Sequence, residues 1–191
     1  MLYKLTTLSV LMTVLILIQG CAPLLVGGAA TGASVIHDRR SAGVALDDQS
    51  IELKALSAID EDLAQHSNLS ATSYNRVVLL TGQAEREIYA KRFVNIVSGI
   101  SPVKRIVNEI KIGPSVSLTQ QTKDSWITSK VKLELLDIDM ESFDASRVKV
   151  VTENGIVYLM GLVTQAEAAA SVEKARWVKG LTKVVKVFEY I

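Results

Sequence analysis

The stretch that decides the fold runs from Val151 to Gly161 and reads Val-Thr-Glu-Asn-Gly-Ile-Val-Tyr-Leu-Met-Gly. β-Branched and apolar residues flank the Asn154-Gly155 pair, and both residues of an Asn-Gly pair tolerate the positive φ angles that a tight hairpin turn needs. The stretch therefore predicts a β-hairpin, with one strand beginning at Val148 and the other running from Ile156 to Met160.

The same pattern occurs earlier in the chain. Residues 77–82 (Val-Val-Leu-Leu-Thr-Gly) align with residues 156–161 at an offset of 79. Asp48 aligns with Asp124, and the Gly-Ile and Gly-Leu pairs at 99 and 180 also match. The offset grows from 76 at the aspartates to 81 at the glycines, which indicates a duplication with small insertions in the loops of the second copy. We therefore expect a first domain at 47–112, a linker at 113–122, where Gly113-Pro114-Ser115 begins a polar stretch, and a second domain at 123–191.

Helical spacing, together with residues that typically begin or end an element, predicts the remaining elements of each copy. A first helix opens with Asp48 or Asp124 as its N-cap, and in the second copy Ile127, Val131, Leu135 and Ile138 recur on one side. A second helix is expected from about 84 to 98 or 165 to 179, followed by a β-branched strand at 104–111 or 183–191. The order is α-β-β-α-β, an α+β fold in which two helices cover one face of a three-stranded mixed sheet.

Four glycines mark boundaries in this scheme. Gly82 and Gly161 are predicted to end the second strand of each hairpin, where the chain swings into a helix. Gly99 and Gly180 follow the second helix, where a C-cap favours a left-handed φ.

The first 21 residues have the pattern of an export signal. Residues 5–18 form an apolar run, which is short for a membrane span because about 20 residues are needed to cross the hydrocarbon. Ile18-Gln19-Gly20 then precede Cys21, the only cysteine. This resembles a bacterial lipobox, with 1–20 as the signal peptide and Cys21 as the lipidated residue, although Ile18 and Gln19 depart from the usual Leu and small residue. The alternative is a plain signal peptide that leaves Cys21 as a free thiol.

Residues 21–46 are rich in Gly, Ala and Ser and keep no regular period. We expect them to form the lipidated N-terminus and a flexible tether, in which His37, Asp38, Arg39 and Arg40 are a solvated charged group. Ala22, rather than Asp, follows Cys21, and by resemblance to Gram-negative lipoproteins this implies transport to the outer membrane.

Composition narrows the classes of function. Of 191 residues, 21 are Lys or Arg and 20 are Asp or Glu, a net charge of +1, so the chain lacks the bulk positive charge that neutralises nucleic-acid phosphates. One cysteine and two histidines leave little for a zinc site. We therefore expect no nucleic-acid partner, no metal and no cofactor.

Catalysis is not expected either. His37 lies in the tether and His66 at a helix end, and neither has a counterpart in the second copy. The acidic run at 137, 139, 141 and 144 lacks the spacing of a calcium loop. Ser101-Pro102-Val103-Lys104 matches a catalytic Ser-x-x-Lys motif only in its letters, because it lies on a turn that enters a strand.

The element order, the hairpin that runs into Val-x-Leu-x-Gly (78–82 and 157–161), and the Gly-(Ile/Leu) before a β-branched strand resemble the BON domain. Two such domains behind a lipobox are similar to a family of outer-membrane lipoproteins, and residues 123–128 and 151–164 carry this resemblance. It implies that the second domain binds anionic phospholipid, such as phosphatidylglycerol or cardiolipin, and that the protein supports outer-membrane integrity at the division site.

The first helix of the second copy supplies an argument of its own. On a helical wheel Trp126 and Leu133 project about 145° from the centre of the apolar stripe, beside Lys123 and Lys130. A tryptophan between amines suits a membrane interface. With neighbouring Thr128 and Ser129 these are the predicted phospholipid-binding residues, whereas the first copy has serines at both apolar positions.

Two alternatives stay open. Trp126 could instead pack against the first domain or the linker. The other tryptophan, Trp177, lies amid Val172, Ala175 and Val178 and is interpreted as a packing or domain contact. A protein-interaction scaffold that contacts the outer-membrane β-barrel assembly machinery would also use an exposed Trp126. Crosslinking from that position would separate this function from lipid binding.

Overall fold

A computed structural model describes residues 38–191 and shows the predicted order of elements twice. The first copy contains helices α1 (Ala42–Ser57) and α2 (Glu61–His66), strands β1 (Ser67–Tyr74) and β2 (Val77–Ala84), helix α3 (Glu87–Ser98), and strands β3 (Arg105–Asn108) and β4 (Lys111–Ile112). The second contains helix α4 (Leu118–Leu136), a 3₁₀ turn (Ala145–Arg147), strands β5 (Val148–Glu153) and β6 (Ile156–Val163), helix α5 (Gln165–Ala175) and strand β7 (Lys183–Tyr190). The predictions made for residues 1–37, including those for Cys21 and His37, lie outside the residues that the structure describes.

Each copy forms the mixed sheet that the sequence predicts. β1 pairs antiparallel with β2, and β2 pairs parallel with both β3 and β4. In the second copy β5 pairs antiparallel with β6, and β6 pairs parallel with β7 along its whole length. The predicted third strand of the first copy is therefore divided in two, because Glu109 and Ile110 separate β3 from β4.

The two hairpin turns share positive φ angles at their central residues. Asn154 and Gly155 have φ angles of 49° and 74°, as the Asn-Gly pair predicts, and Asn75 and Arg76 have φ angles of 53° and 66° although no glycine is present. Both turns thus have positive φ at their two central residues, which fits the right-handed twist of the strands.

Buried aspartates stabilise both turns. The Asp124 carboxylate accepts hydrogen bonds from the backbone N–H groups of Asn154 and Gly155, each at 2.8 Å. Asp48 accepts from the backbone N–H groups of Asn75 (2.8 Å) and Arg76 (2.7 Å). The predicted N-cap role of these two aspartates is therefore wrong, because each lies inside a helix and binds the hairpin.

The helices begin earlier than predicted, at serine caps. The Ser41 side chain accepts from the backbone N–H of Val44, and the Ser117 side chain accepts from that of Gln120. As a result, residues 42–46 of the predicted tether and 118–122 of the predicted linker are helical. At the other end, α3 starts at Glu87 and α5 stops at Ala175, so the second helices are shorter than predicted.

The predicted glycine boundaries are partly wrong. Gly82 and Gly161 lie inside β2 and β6, and each is required by a close backbone approach: an added Cβ would lie 1.9 Å from the Asn68 carbonyl oxygen at the first position and 2.6 Å from the Arg147 carbonyl oxygen at the second. Gly180 has the expected positive φ of 91°. Gly99 has a φ of −80°, the ordinary helical value, so no left-handed C-cap forms there.

Each sheet is covered on both faces. In β2, Val78 and Leu80 pack against α1 and α3, and in β6, Val157 and Leu159 pack against α4 and α5. The opposite faces of the two sheets share a third core, formed by Tyr74, Val77, Leu79, Tyr158, Met160 and Val187. This shared core is why every residue of β2 is buried, and it joins the two domains.

Charged and polar contacts border the shared core. The Gln83 side-chain amide donates to the Glu153 carboxylate at 2.6 Å, and the Lys149 amine donates to Glu52 at 2.7 Å. Arg39 binds Glu167 of α5 through two hydrogen bonds of 2.6 and 2.8 Å. Arg40 binds Asp48 at 2.7 Å and stacks on the Tyr74 ring. Asp38, Arg39 and Arg40 are thus held between the domains, so the prediction that these three side chains are solvated is wrong.

Candidate functional site

Helix α4 presents its two predicted faces as the sequence indicates. Ile127, Val131 and Leu135 are buried in the core of the second domain. On the opposite side Trp126 is 49% exposed and Leu133 is 56% exposed. Trp126 does not pack into the shared core between the sheets, so its indole is available at the surface of the second domain.

Two lysines flank this apolar pair. The Lys130 amine lies 5.8 Å from the centre of the Trp126 ring, within reach of a cation–π contact. Lys123 is exposed and, because α4 begins at Leu118, it lies inside the same helix, within about 60° of Trp126 on the wheel. The four side chains form one amphipathic surface, which we call the Trp126 face: Lys123, Trp126, Lys130 and Leu133.

The two neighbouring hydroxyl residues differ in position. Ser129 is exposed at the border of the Trp126 face, and its hydroxyl donates to the Ser125 carbonyl oxygen at 3.0 Å. Thr128 points the other way, since its hydroxyl donates to Thr152 on β5 at 2.7 Å. The structure therefore does not bring Thr128 to this face.

Trp177 is exposed, contrary to the interpretation of it as a packing residue. It follows the end of α5 and is 72% exposed, while its indole N–H donates to Glu173 at 2.9 Å and the Arg176 guanidinium lies 5.1 Å from its ring. The prediction assumed a helix to Lys179 and placed Trp177 among core residues. Val172, Ala175 and Val178 do pack into the core, but at 100° per residue Trp177 projects about 160° from the centre of these three, so its ring lies outside.

The contrast between the two copies is weaker than the sequence predicts. Ser50 and Ser57 do stand where the second copy has Trp126 and Leu133, but α1 exposes three leucines elsewhere on its surface: Leu46, Leu53 and Leu56 are each about two-thirds exposed. No aromatic residue accompanies them, and Lys54 is the cation among them. The combination of an aromatic ring with flanking lysines thus belongs to α4, whereas exposed aliphatic surface occurs on both first helices.

Within residues 38–191, no three His, Cys, Asp or Glu side chains lie close enough to hold a metal ion. In the acidic run, Asp137 binds the Lys174 amine at 2.9 Å, and Asp144 accepts from the Ser146 backbone N–H. The same described residues contain no helix long and apolar enough to cross a membrane. The arrangement offers an apolar ring, an aliphatic side chain and amines at an open surface.

A family model decides the relationship of this chain. The BON domain matches at residues 47–114 and again at 123–191. The chain belongs to the BON-domain family. Both matched segments contain a full α-β-β-α-β set, so the two-domain α+β architecture predicted from the sequence is confirmed.

Three relatives are similar to this chain over most of its length. Outer membrane lipoprotein DolP of Haemophilus influenzae is 36% identical over 96% of this chain and 95% of its own length, which confirms the predicted lipoprotein family. The 21 kDa hemolysin of Actinobacillus pleuropneumoniae is 38% identical, covering 81% of this chain and 79% of that protein. Osmotically-inducible protein Y of Escherichia coli is 28% identical over 75% and 74%. Neither the BON family nor these relatives indicate an enzymatic family.

Proposed function

We propose that this chain is a periplasm-facing outer-membrane lipoprotein whose second BON domain binds anionic phospholipid through the Trp126 face. The observation that carries the proposal is the half-exposed indole of Trp126 with the Lys130 amine against its ring. A tryptophan is an amphipathic ring suited to the headgroup level of a bilayer.

Lipid attachment at Cys21 supplies the membrane anchor in this proposal. The lipobox-like Ile18-Gln19-Gly20-Cys21 supports it, as does the name of the Haemophilus relative, which is an outer membrane lipoprotein. An anchor with several acyl chains is durable because each buried methylene contributes about 0.8 kcal/mol.

Charge and apolar area act together at the Trp126 face. Each cation near an anionic surface is worth about 1 kcal/mol, so Lys123 and Lys130 favour anionic over zwitterionic lipid. The Ser129 hydroxyl at the border now donates to the Ser125 carbonyl oxygen, and it would have to leave that acceptor to donate to a lipid phosphate. Burial of the exposed parts of Trp126 and Leu133 adds an apolar contribution that salt does not screen.

Vesicle sedimentation tests the proposal. The chain from Ala22 onward should sediment with vesicles containing phosphatidylglycerol or cardiolipin, and much less with phosphatidylcholine vesicles. Trp126→Ala should weaken the binding about tenfold, since roughly 1.4 kcal/mol of burial is lost. Leu53→Ala is the matched control, because Leu53 is similarly exposed on the equivalent helix of the first domain but lacks an aromatic neighbour.

Equal binding to both vesicle types, or no effect of Trp126→Ala, would show that the site is wrong. The scaffold alternative has its own readout. A photo-crosslinker at position 126 should label lipid in cells under our proposal. A discrete protein adduct, for instance with the β-barrel assembly machinery, would instead favour a protein interface.

The cellular part of the proposal is support of outer-membrane integrity with enrichment at the division site. A fluorescent fusion should concentrate at the septum of dividing cells, and loss of the chain should raise sensitivity to large antibiotics that the outer membrane excludes. A uniform peripheral signal would contradict the enrichment.

A further inference from the structure

The end of α5 and the residues that follow it run back along α4. At the start of this segment, the Lys174 amine binds Asp137, which directly follows α4, at 2.9 Å. At its end, an added Cβ on Gly180 would lie 3.6 Å from the Ile127 side chain, near the middle of α4. Val178, between these points, packs against the core that contains Ile127. Residues 174–180 therefore lie beside α4 from its C-terminal end to Ile127.

This segment borders the side of α4 that carries Trp126. At 100° per residue, Asp137 projects within about 20° of Trp126 and Lys130 within about 40°. Asp137, directly after α4, contacts Lys174, and Glu134 in the last turn of α4 also acts on the Lys174 charge, so the segment and the Trp126 face share one side of the helix. Thr128, on another side, contacts β5 instead. Trp177 consequently lies on the flank next to the Trp126 face.

Trp177 has the features of an interfacial side chain. It is more exposed than Trp126, at 72% against 49%, and no described residue buries its ring. Its indole N–H is bonded to Glu173, so the polar edge of the ring already has a partner while the apolar surface stays open. Large exposed aromatic surface of this kind marks an interaction site.

The charges along this flank favour an anionic partner. Arg176 is paired with Glu173 at 3.1 Å, and Lys174 with Asp137, so these two carboxylates are offset. Glu134 is the third carboxylate. The same flank carries five cations, which outnumber the three carboxylates. They are Lys123, Lys130, Lys174, Arg176 and Lys179.

We infer that Trp177 is a second membrane anchor, and that Trp126 and Trp177 together form one docking face for an anionic bilayer surface. The inference rests on the proposed lipid-binding function and extends it from one helix to two elements. Two separated aromatic contacts fix the orientation of the domain on the bilayer, which a single contact on one helix does not.

Single-tryptophan fluorescence tests this, because the chain has only two tryptophans. Trp126→Phe leaves Trp177 as the reporter, and Trp177→Phe leaves Trp126, each in the chain from Ala22 onward. With phosphatidylglycerol-containing vesicles, both reporters should shift to shorter emission wavelength and be quenched by lipids brominated on the acyl chain. Phosphatidylcholine vesicles should give neither effect.

Affinity provides the second measurement. Trp177→Ala should weaken binding to anionic vesicles about five- to tenfold. Ile88→Ala is the matched control, since Ile88 is 64% exposed on the equivalent helix of the first domain and should leave binding unchanged.

The outcomes separate the inference from the proposed function. If Trp126 is quenched and Trp177 is not, the inference is overturned and the proposed function stands. If neither responds, both are overturned. A response of Trp177 without Trp126 contradicts the joint face and the proposed site alike.

Discussion

At the scale of single residues, Gly82 shows how closely the backbone is packed. It lies inside β2 with a φ of 109°, and an added Cβ would lie 1.9 Å from the backbone oxygen of Asn68 on the paired strand. Any side chain there must push the two strands of the hairpin apart.

We predict that Gly82→Ala lowers the free energy of unfolding by about 3 kcal/mol or more, from combined strain and clash. Gly99→Ala should change it by less than about 0.5 kcal/mol, because Gly99 has a helical φ of −80° and only ordinary contacts. Urea denaturation measures both. Similar values for the two variants would show that the hairpin accommodates a Cβ.

Glu167 gives a prediction about pH. Burial opposes its ionisation, but hydrogen bonds from Arg39 and the Thr164 backbone outweigh this and lower the pKa of Glu167 from 4.5 to about 2. A carboxyl with a lowered folded-state pKa stabilises the fold above its unfolded pKa, and this stabilisation is lost as the pH falls. The window is therefore pH 4.5 to about 2.

The wild-type free energy of unfolding should fall across that window by up to about 3 kcal/mol more than that of Glu167→Gln. Glu141→Gln, at an exposed position, should follow the wild type. Parallel pH profiles for wild type and Glu167→Gln would contradict a role for the Arg39–Glu167 pair.

At the scale of elements, the first helix of each copy and the hairpin beside it form one unit. Asp48 and Asp124 each use both carboxylate oxygens to bind the two N–H groups of a positive-φ turn. The same contact in both copies shows that the duplication extends to individual hydrogen bonds.

Asp124→Ala should destabilise the fold by about 2 to 4 kcal/mol, because two buried N–H groups lose a charged acceptor. Asp48→Ala should cost a similar amount, whereas Asp139→Ala, at an exposed position, should be close to neutral. Hydrogen exchange at Asn154 and Gly155 should rise in Asp124→Ala. Unchanged exchange there would show that the turn holds without the carboxylate.

These aspartates also show what the sequence could and could not predict. The hairpins followed from local chemistry, since Asn154-Gly155 and alternating apolar residues specify turn and strand without distant contacts. The N-cap prediction was wrong because an aspartate can equally cap a helix or accept hydrogen bonds from a turn. Which role Asp124 takes depends on the turn at Asn154, 30 positions away. The Trp126 face could be predicted from helical periodicity. The exposure of Trp177 could be predicted in the same way, because helical spacing places it opposite Val172, Ala175 and Val178.

At the scale of the whole molecule, the two domains share a core. Tyr74 and Leu79 of the first sheet pack with Tyr158 and Met160 of the second. The sequence predicted one covered face for each sheet, and the second face escaped prediction because alternation along a strand does not say what packs on its other side.

We predict that residues 38–191 unfold in a single transition. Met160→Ala should lower the free energy of that shared transition by about 2 to 4 kcal/mol, so that both domains are destabilised equally. Thermal denaturation followed by circular dichroism and by hydrogen exchange in each sheet checks this. Leu136→Ala, which trims an exposed side chain, should be nearly neutral. Two separated transitions would contradict the shared core.

The contacts that border this core have a consequence for the history of the chain. At the offset of 79, Tyr158 corresponds to Leu79 and Met160 to Thr81, and Glu153, which accepts from Gln83, corresponds to Tyr74. In a chain made of two copies of the first domain, a tyrosine would stand in place of Glu153. Gln83 would then lose the carboxylate that accepts its hydrogen bond. The duplicated halves have become complementary parts, and recombination between them would break the pairing that each now requires.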